Sequence, residues 1–239
     1  MKLQIIVRSA NERTEKACID SASKQGDVHV IRAVPFGEAI RQTYALASEF
    51  QQEWTPVVDA DVILSDGSLR AGIEDLNRQY NRNTIFCLDG KTKDKIFIKA
   101  RRAGIHIYRT KFLKYASRFI DDKKIKPESY VRKQMENLRF PTYTGRIIFG
   151  KHDYEQYYKD LWRKSVVQVY KLAGIIKKGD IINKWRRKAE TDFDYKIILA
   201  GHEHGKKLLK ENVYIDASQD WGWSEYAEKN GIIEKEALR

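Results

Sequence analysis

Asp59 and Asp61 flank Ala60 at the end of the apolar run Val57-Val58, where carboxylates have no packing reason to be. Two acids at a strand terminus offer hard oxygen ligands, which suit Mg²⁺ or Mn²⁺ and let the ion bridge to the oxygens of a diphosphate. The competing reading is a pair of loop-capping aspartates, one of them in an Asx turn. His152-Asp153 follows a second short apolar stretch and opens a helix, where a carboxylate also serves as a cap at the positive end. His202 and His204 alternate after Tyr195–Ala200, so a strand there points them to opposite faces. Arg8, Arg13 and Arg41 stand at strand ends and helix starts, from which a guanidinium grips phosphate bidentately or makes a surface ion pair.

These side chains need a frame to hold them. Leu3–Val7 reads as a buried strand and Asn11–Gln25 as the helix after it; Val28–Val34 and the run to Val58 are further strands. Ala39, Thr43, Leu46, Ala47 and Phe50 recur at helical spacing between them, as do Leu69, Ile73, Leu76 and Tyr80 beyond. Thr84–Leu88, Ile96–Ile98, Arg146–Phe149 and Tyr195–Ala200 are expected strands, and Tyr154–Leu172 a helix. Tyr108–Lys133 reads as helical or as a loop. The alternation predicts an α/β fold with a mostly parallel sheet flanked by helices, and a site at the carboxyl edge of its strands. With no internal repeat or low-complexity linker, the expectation is a catalytic domain over 1–200 and a helical, basic carboxy-terminal extension over 201–239 packed on it. Trp221, Trp223 and Tyr226 in that extension form either a platform for a sugar ring or an anchor for the terminal segment.

The 239 residues, 42% apolar and 33% charged, suffice for one ample α/β domain with a small appendage, and exclude collagenous and low-complexity classes. Cys18 and Cys87 are too few for a disulfide framework, which argues for a reducing compartment, and no Cys/His spacing resembles a structural zinc site. Leu3–Val7 is too short for a signal-peptide core, and no apolar run reaches the ~20 residues of a membrane span. The expected location is cytoplasmic, or peripheral on the inner face of the plasma membrane. The net charge is +12, and Lys91–Lys133 alone, with 15 basic and 4 acidic residues, contributes +11. Such a patch attracts nucleic acid, an anionic leaflet or a diphosphate-bearing substrate, and charge does not choose among them.

Motif order does choose. Val7-Arg8-Ser9-Ala10-Asn11-Glu12-Arg13 with Cys18–Gln25, then Phe36-Gly37-Glu38-Ala39-Ile40-Arg41, then Trp54–Leu64 around Asp59-Ala60-Asp61, resembles the first 90 or so residues of family 2 glycosyltransferases. The resemblance implies a GT-A (Rossmann-like) fold, a nucleotide-diphosphate sugar donor, a divalent Mn²⁺ or Mg²⁺ at Asp59 and Asp61, and transfer to a glycan or lipid-linked acceptor hydroxyl, with inversion. Arg8, Ser9, Arg13, Arg41 and Asp59 then become nucleotide-sugar contacts. The acidic turn that the family carries after its second strand is replaced by Val34-Pro35-Phe36-Gly37, so its base and ribose contacts do not transfer. Gly150–Lys164 is similar to the stretch of bacterial members that carries a late acidic residue, which implies Asp153 as the base that deprotonates the acceptor. His152 is placed to complete the metal shell or to orient Asp153, and the resemblance also implies the late His204 as a metal ligand, with Lys206 or Lys207 beside a phosphate. An alternative of another class is a basic metal-dependent nucleic-acid-binding protein or nuclease built on Asp59, Asp61, Asp153 and Glu155. No recognised nucleic-acid module supports it, so nucleic acid is not the expected partner.

Overall fold

The computed structural model describes residues 2–124, 126–171, 179–211, 213 and 219–238. Its contacts separate two compact units, Met1–Lys95 with Lys99–Tyr154 and Leu238–Arg239, and Ile96–Ile98 with Glu155–Ala237. Residues 200 and 201 both fall inside one helix of the second unit, Phe193–Lys210.

The first unit is an eight-stranded sheet with helices on both faces. In chain order its elements are β1 (Gln4–Ser9), α1 (Glu15–Ser23), β2 (Asp27–Arg32), α2 (Phe36–Ala47), β3 (Trp54–Asp59), β4 (Val62–Leu64), α3 (Ser68–Asn77), β5 (Cys87–Asp94) and β6 (Lys99–Arg109). The short α4 (Leu113–Ala116) follows between two single-turn 3-10 helices, then α5 (Pro127–Asn137), β7 (Thr142–Tyr143) and β8 (Ile148–His152). The strand order is β2-β1-β3-β6-β5-β8-β4, with β7 beside β5. Parallel pairing joins β1 to β2 and β3, and β5 to β7 and β8. Antiparallel pairing joins β6 to β3 and β5, and β4 to β8. The sheet is thus mostly parallel, and β1, β3, β5 and β8 end at one common edge.

Alternation along the strands sorts side chains onto two faces. Ile5, Val7, Val58, Ile105 and Ile107 enter one apolar core with Cys18 and Ala22 of α1 and Leu69 and Leu76 of α3. Ile6, Val57, Cys87 and Tyr108 enter the other, with Ile40 and Tyr44 of α2 and Val131 and Met135 of α5. Arg8, Asp59, Asp89 and His106 continue the second parity by two residues. They therefore belong on the α2 and α5 face, and the contacts below bear this out.

The second unit is helical, with α6 (Tyr158–Lys171), α7 (Gly179–Ala189), α8 (Phe193–Lys210) and α9 (Trp223–Lys229). Leu172, expected on the α6 apolar face, lies outside the described residues. Two expected strands are corrected here. Tyr195–Ala200 lies within α8: Tyr195, Ile198, His202 and Gly205 are buried at helical spacing, and the Asp192 side chain caps the helix by accepting from the Asp194 N–H at 3.0 Å. A Cβ at Gly201 would stand 2.9 Å from the Trp162 carbonyl oxygen, and one at Gly205 2.9 Å from that of Val166, so these glycines let α8 lie against α6. Ile96–Ile98 is no strand either, since it forms the tip of the β5–β6 hairpin. Ile96 is apolar because it is buried in the core of the second unit, where the Trp185 Nε1–H donates to its carbonyl at 2.5 Å. Among the described residues, no helix is long and apolar enough to cross a membrane.

Candidate functional site

Asp61, just before β4, and His152, the last residue of β8, meet across the β4–β8 pair, whose register places Val62 opposite His152. Asp94 closes β5 and is also in register with His152. Three strand ends therefore converge on one imidazole. Its Nε2 lies 3.4 Å from Asp61 Oδ1, and its Nδ1 3.0 Å from Asp94 Oδ2 and 3.1 Å from Asp153 Oδ2. Burial opposes a charge on the ring, but attraction to Asp153 and Asp61 outweighs it and holds the pKa well above the ordinary histidine value.

The backbone around this group is fixed from several sides. The Asp153 N–H donates to the Asp61 carbonyl at 3.1 Å and the Ala60 N–H to that of Arg8 at 2.8 Å, while the Thr14 hydroxyl donates to the Ala60 carbonyl at 2.8 Å. Asp153 adopts a φ of 63°, a conformation that a non-glycine residue holds only when its surroundings demand it. Gly104 of β6 lies beneath the pair with φ +67°, and a Cβ there would stand 3.1 Å from His152 Cδ2 and 3.5 Å from Asp61 Oδ1. Among the described residues, ligand atoms of Asp61, His152 and Asp153 come within 4.8 Å of one another. Two carboxylates and an imidazole, over a floor cleared of a side chain, fit Mn²⁺ or Mg²⁺.

Asp59 has a different partner. Arg8, opposite it in the β1–β3 register, donates from Nε to Asp59 Oδ1 at 2.9 Å and from Nη1 to Glu128 Oε1 at 2.7 Å. Glu128 also accepts from the Tyr108 hydroxyl at 2.5 Å and lies 2.9 Å from His106 Nε2. Asp89 continues the chain of charge, 3.4 Å from His106 Nδ1 and 3.6 Å from Arg132. Burial pushes the Glu128 carboxyl up, yet Arg8, His106 and Arg132 together hold it well below the usual range. The Phe36 ring lies against Arg8, with its centroid 4.9 Å from the guanidinium carbon.

The remaining expected residues have other surroundings. The Ser9 hydroxyl donates to Glu12 at 3.0 Å and also bonds Glu15. Arg13 is half-buried in the turn leading to α1. Arg41 pairs with Glu38 at 3.3 Å and with Asp122, and lines a cavity of about 1030 Å³ with Glu53, Lys111 and Lys114. His204 belongs to α8 in the second unit, its ring centroid 5.3 Å from that of Trp162. Trp162 also stacks on Tyr226 at 4.5 Å and donates to the Trp221 carbonyl at 2.9 Å, contacts that anchor the terminal segment. Of the expected metal ligands, Asp61 and His152 meet within the first unit, with Asp153 as their third member, while Asp59 pairs with Arg8 and His204 belongs to the second unit. Sequence reasoning missed Asp94, Glu128, His106 and Gly104, all within the basic stretch whose charge drew attention away from its few acids.

No family model matches the chain, and no curated protein matches it. Solved structures do. The mannosyltransferase PcManGT from Pyrobaculum calidifontis, in complex with GDP-Man and Mn²⁺, is 9% identical and aligns over 97% of this chain and 80% of its own, with a TM-score of 0.51. The fold is that of a GT-A-like glycosyltransferase. S. aureus TarS 1-349 aligns at 13% identity over 98% of this chain and 83% of its own, with a TM-score of 0.42. A glycosyltransferase involved in glycosylation of the major capsid of PBCV-1 aligns at 13% identity over 61% and 82%, with a TM-score of 0.41. The architecture expected from the motif order is the one that the chain adopts.

Proposed function

We propose that the protein is a glycosyltransferase that moves a sugar from a nucleotide-diphosphate donor to a hydroxyl of a glycan or lipid-linked acceptor. The observation that carries this reading is the Asp61, His152 and Asp153 group at the carboxyl edge of a GT-A-like sheet, where open α/β sheets bind their ligands. These three side chains would hold Mn²⁺ or Mg²⁺, which supplies positive charge to a departing diphosphate. Asp153 is only 3% exposed and in contact with His152, so its placement favours the cation group over the role of an acceptor base. Arg8 orients the Asp59 carboxylate, which at 25% side-chain exposure is open to a donor ribose or sugar hydroxyl. The exposed cations Lys111, Lys114 and Arg118 around α4 suit an acceptor diphosphate or an anionic leaflet.

GDP-mannose with Mn²⁺ is the first donor to try, given the ligands of PcManGT. Melting temperature is followed with GDP and UDP, with and without Mn²⁺, alongside slow hydrolysis of the matching sugar nucleotides. A nucleotide-specific rise that needs Mn²⁺ and vanishes in Asp61→Asn is expected. No rise with any nucleotide diphosphate, or one indifferent to Asp61, contradicts the reading. The nuclease alternative gains nothing from the geometry, since Asp59 is paired with Arg8 and Glu155 is exposed.

A further inference from the structure

Asp94 was not singled out by its surroundings in the sequence, a β5 end among lysines, yet its side chain is wholly buried and its Oδ2 lies 3.0 Å from His152 Nδ1. A buried carboxylate against an imidazole nitrogen decides how the ring presents itself. When Nδ1–H donates to Asp94, the lone pair sits on Nε2, the nitrogen 3.4 Å from Asp61 Oδ1. Asp94 thus stands behind the ring while Asp61 stands in front of it. Two further features keep Asp94 in place: its backbone is fixed by the pairing of β5 with both β6 and β8, and Arg101 donates to the same Oδ2 at 2.8 Å. Asp153 Oδ2 lies 3.1 Å from Nδ1 as well, so this nitrogen has two carboxylate neighbours; an ion at Nε2 that engages Asp153 would draw it from Nδ1 and leave Asp94, which is outside the group of ligand atoms, as the carboxylate there.

We infer that Asp94 is a positioning residue that fixes His152 with Nε2 as its metal-binding nitrogen, completing a carboxylate–histidine–cation relay in which Arg101 steadies the carboxylate. The inference rests on the metal site proposed above. Outer carboxylates of this kind orient the ring and raise its basicity as a ligand, and their loss typically weakens metal binding by about 10–100-fold. Asp94 touches neither donor nor acceptor in this account, and acts only through His152.

The test is Mn²⁺ binding to the whole protein without nucleotide, read from the free Mn²⁺ signal in electron paramagnetic resonance. Asp94→Ala is expected to weaken binding by about 10–100-fold, and Asp94→Asn, which keeps an acceptor oxygen for Nδ1–H, to lie much nearer the wild type. Equal Mn²⁺ affinity in Asp94→Ala and the wild type overturns the inference and leaves the metal site standing. Absence of Mn²⁺ binding in the wild type overturns both. Should Asp94→Ala fail to fold, nitrogen-15 spectra of histidine-labelled, Mg²⁺-loaded wild type decide the matter. A proton on Nδ1 of His152 with none on Nε2 supports the inference, and the reverse tautomer overturns it.

Discussion

Two aspartates separated by a single alanine sit in opposite electrostatic settings. Asp59 faces Arg8, a cation that stays charged at any working pH and is itself 2% exposed and tied to Glu128. Asp61 faces His152, whose positive charge is held there by neighbouring carboxylates and not by its own chemistry. The first carboxylate thus has a cation built into the chain, while under the proposed function the second is where a divalent ion would take the place of the imidazolium charge. Equal spacing in sequence concealed this division of labour, because the partners come from different elements: Arg8 from β1, Glu128 from α5 and His152 from β8.

The sharpest way to break the comparison is to remove the built-in cation network. Glu128→Ala leaves Arg8 short of its buried partner and should cost about 3–5 kcal/mol of stability by denaturant titration. A loss under about 1 kcal/mol would mean that water reaches this network. Asp61→Asn, by contrast, should leave stability within about 1 kcal/mol while lowering kcat/KM for donor turnover on the order of 100-fold or more, measured at saturating Mn²⁺. If the two variants exchange phenotypes, the roles assigned to the two sides are reversed.

Acid should separate the regions too. The Glu128 carboxyl has a pKa below its unfolded value, so its contribution to stability is present above about pH 4.3 and is lost as pH falls through the depressed folded value. Glu128→Gln should therefore flatten the acid limb of a stability-against-pH curve and leave the neutral plateau uniformly lower. An unchanged acid limb would move the source of acid lability elsewhere. The smallest effect is expected at the cavity lined by Arg41, Lys111 and Lys114: Lys111→Ala and Lys114→Ala should change donor turnover less than about twofold, while weakening retention on anionic vesicles at low salt by about 1 kcal/mol each.

What the sequence revealed follows the range of the physics involved. Local periodicity placed β1, α2, β3 and α3, and with them Asp59 and Asp61 at a strand end, because burial on one face leaves its period in the chain. The same reasoning misread Tyr195–Ala200, where Ile197 and Ile198 are both buried in a helix that packs through Gly201 and Gly205, so an apolar run arose without extension. Glu128 lies 120 residues from Arg8, and Asp94 lies 58 from His152; nothing local marks either as a partner. The nearest sequence signal was the rarity of acids in the basic stretch, since an acid kept among so many cations invites a structural reason.

The central claim, that Asp61, His152 and Asp153 hold the divalent ion of a nucleotide-sugar site, is tested most directly by a crystal structure of the protein soaked with GDP and Mn²⁺ at the manganese absorption edge. The account predicts an anomalous peak within coordinating distance of Asp61 and His152 Nε2, with diphosphate oxygens on its open side. A peak held by Asp59 in place of Arg8, or none near β4 and β8, would contradict it.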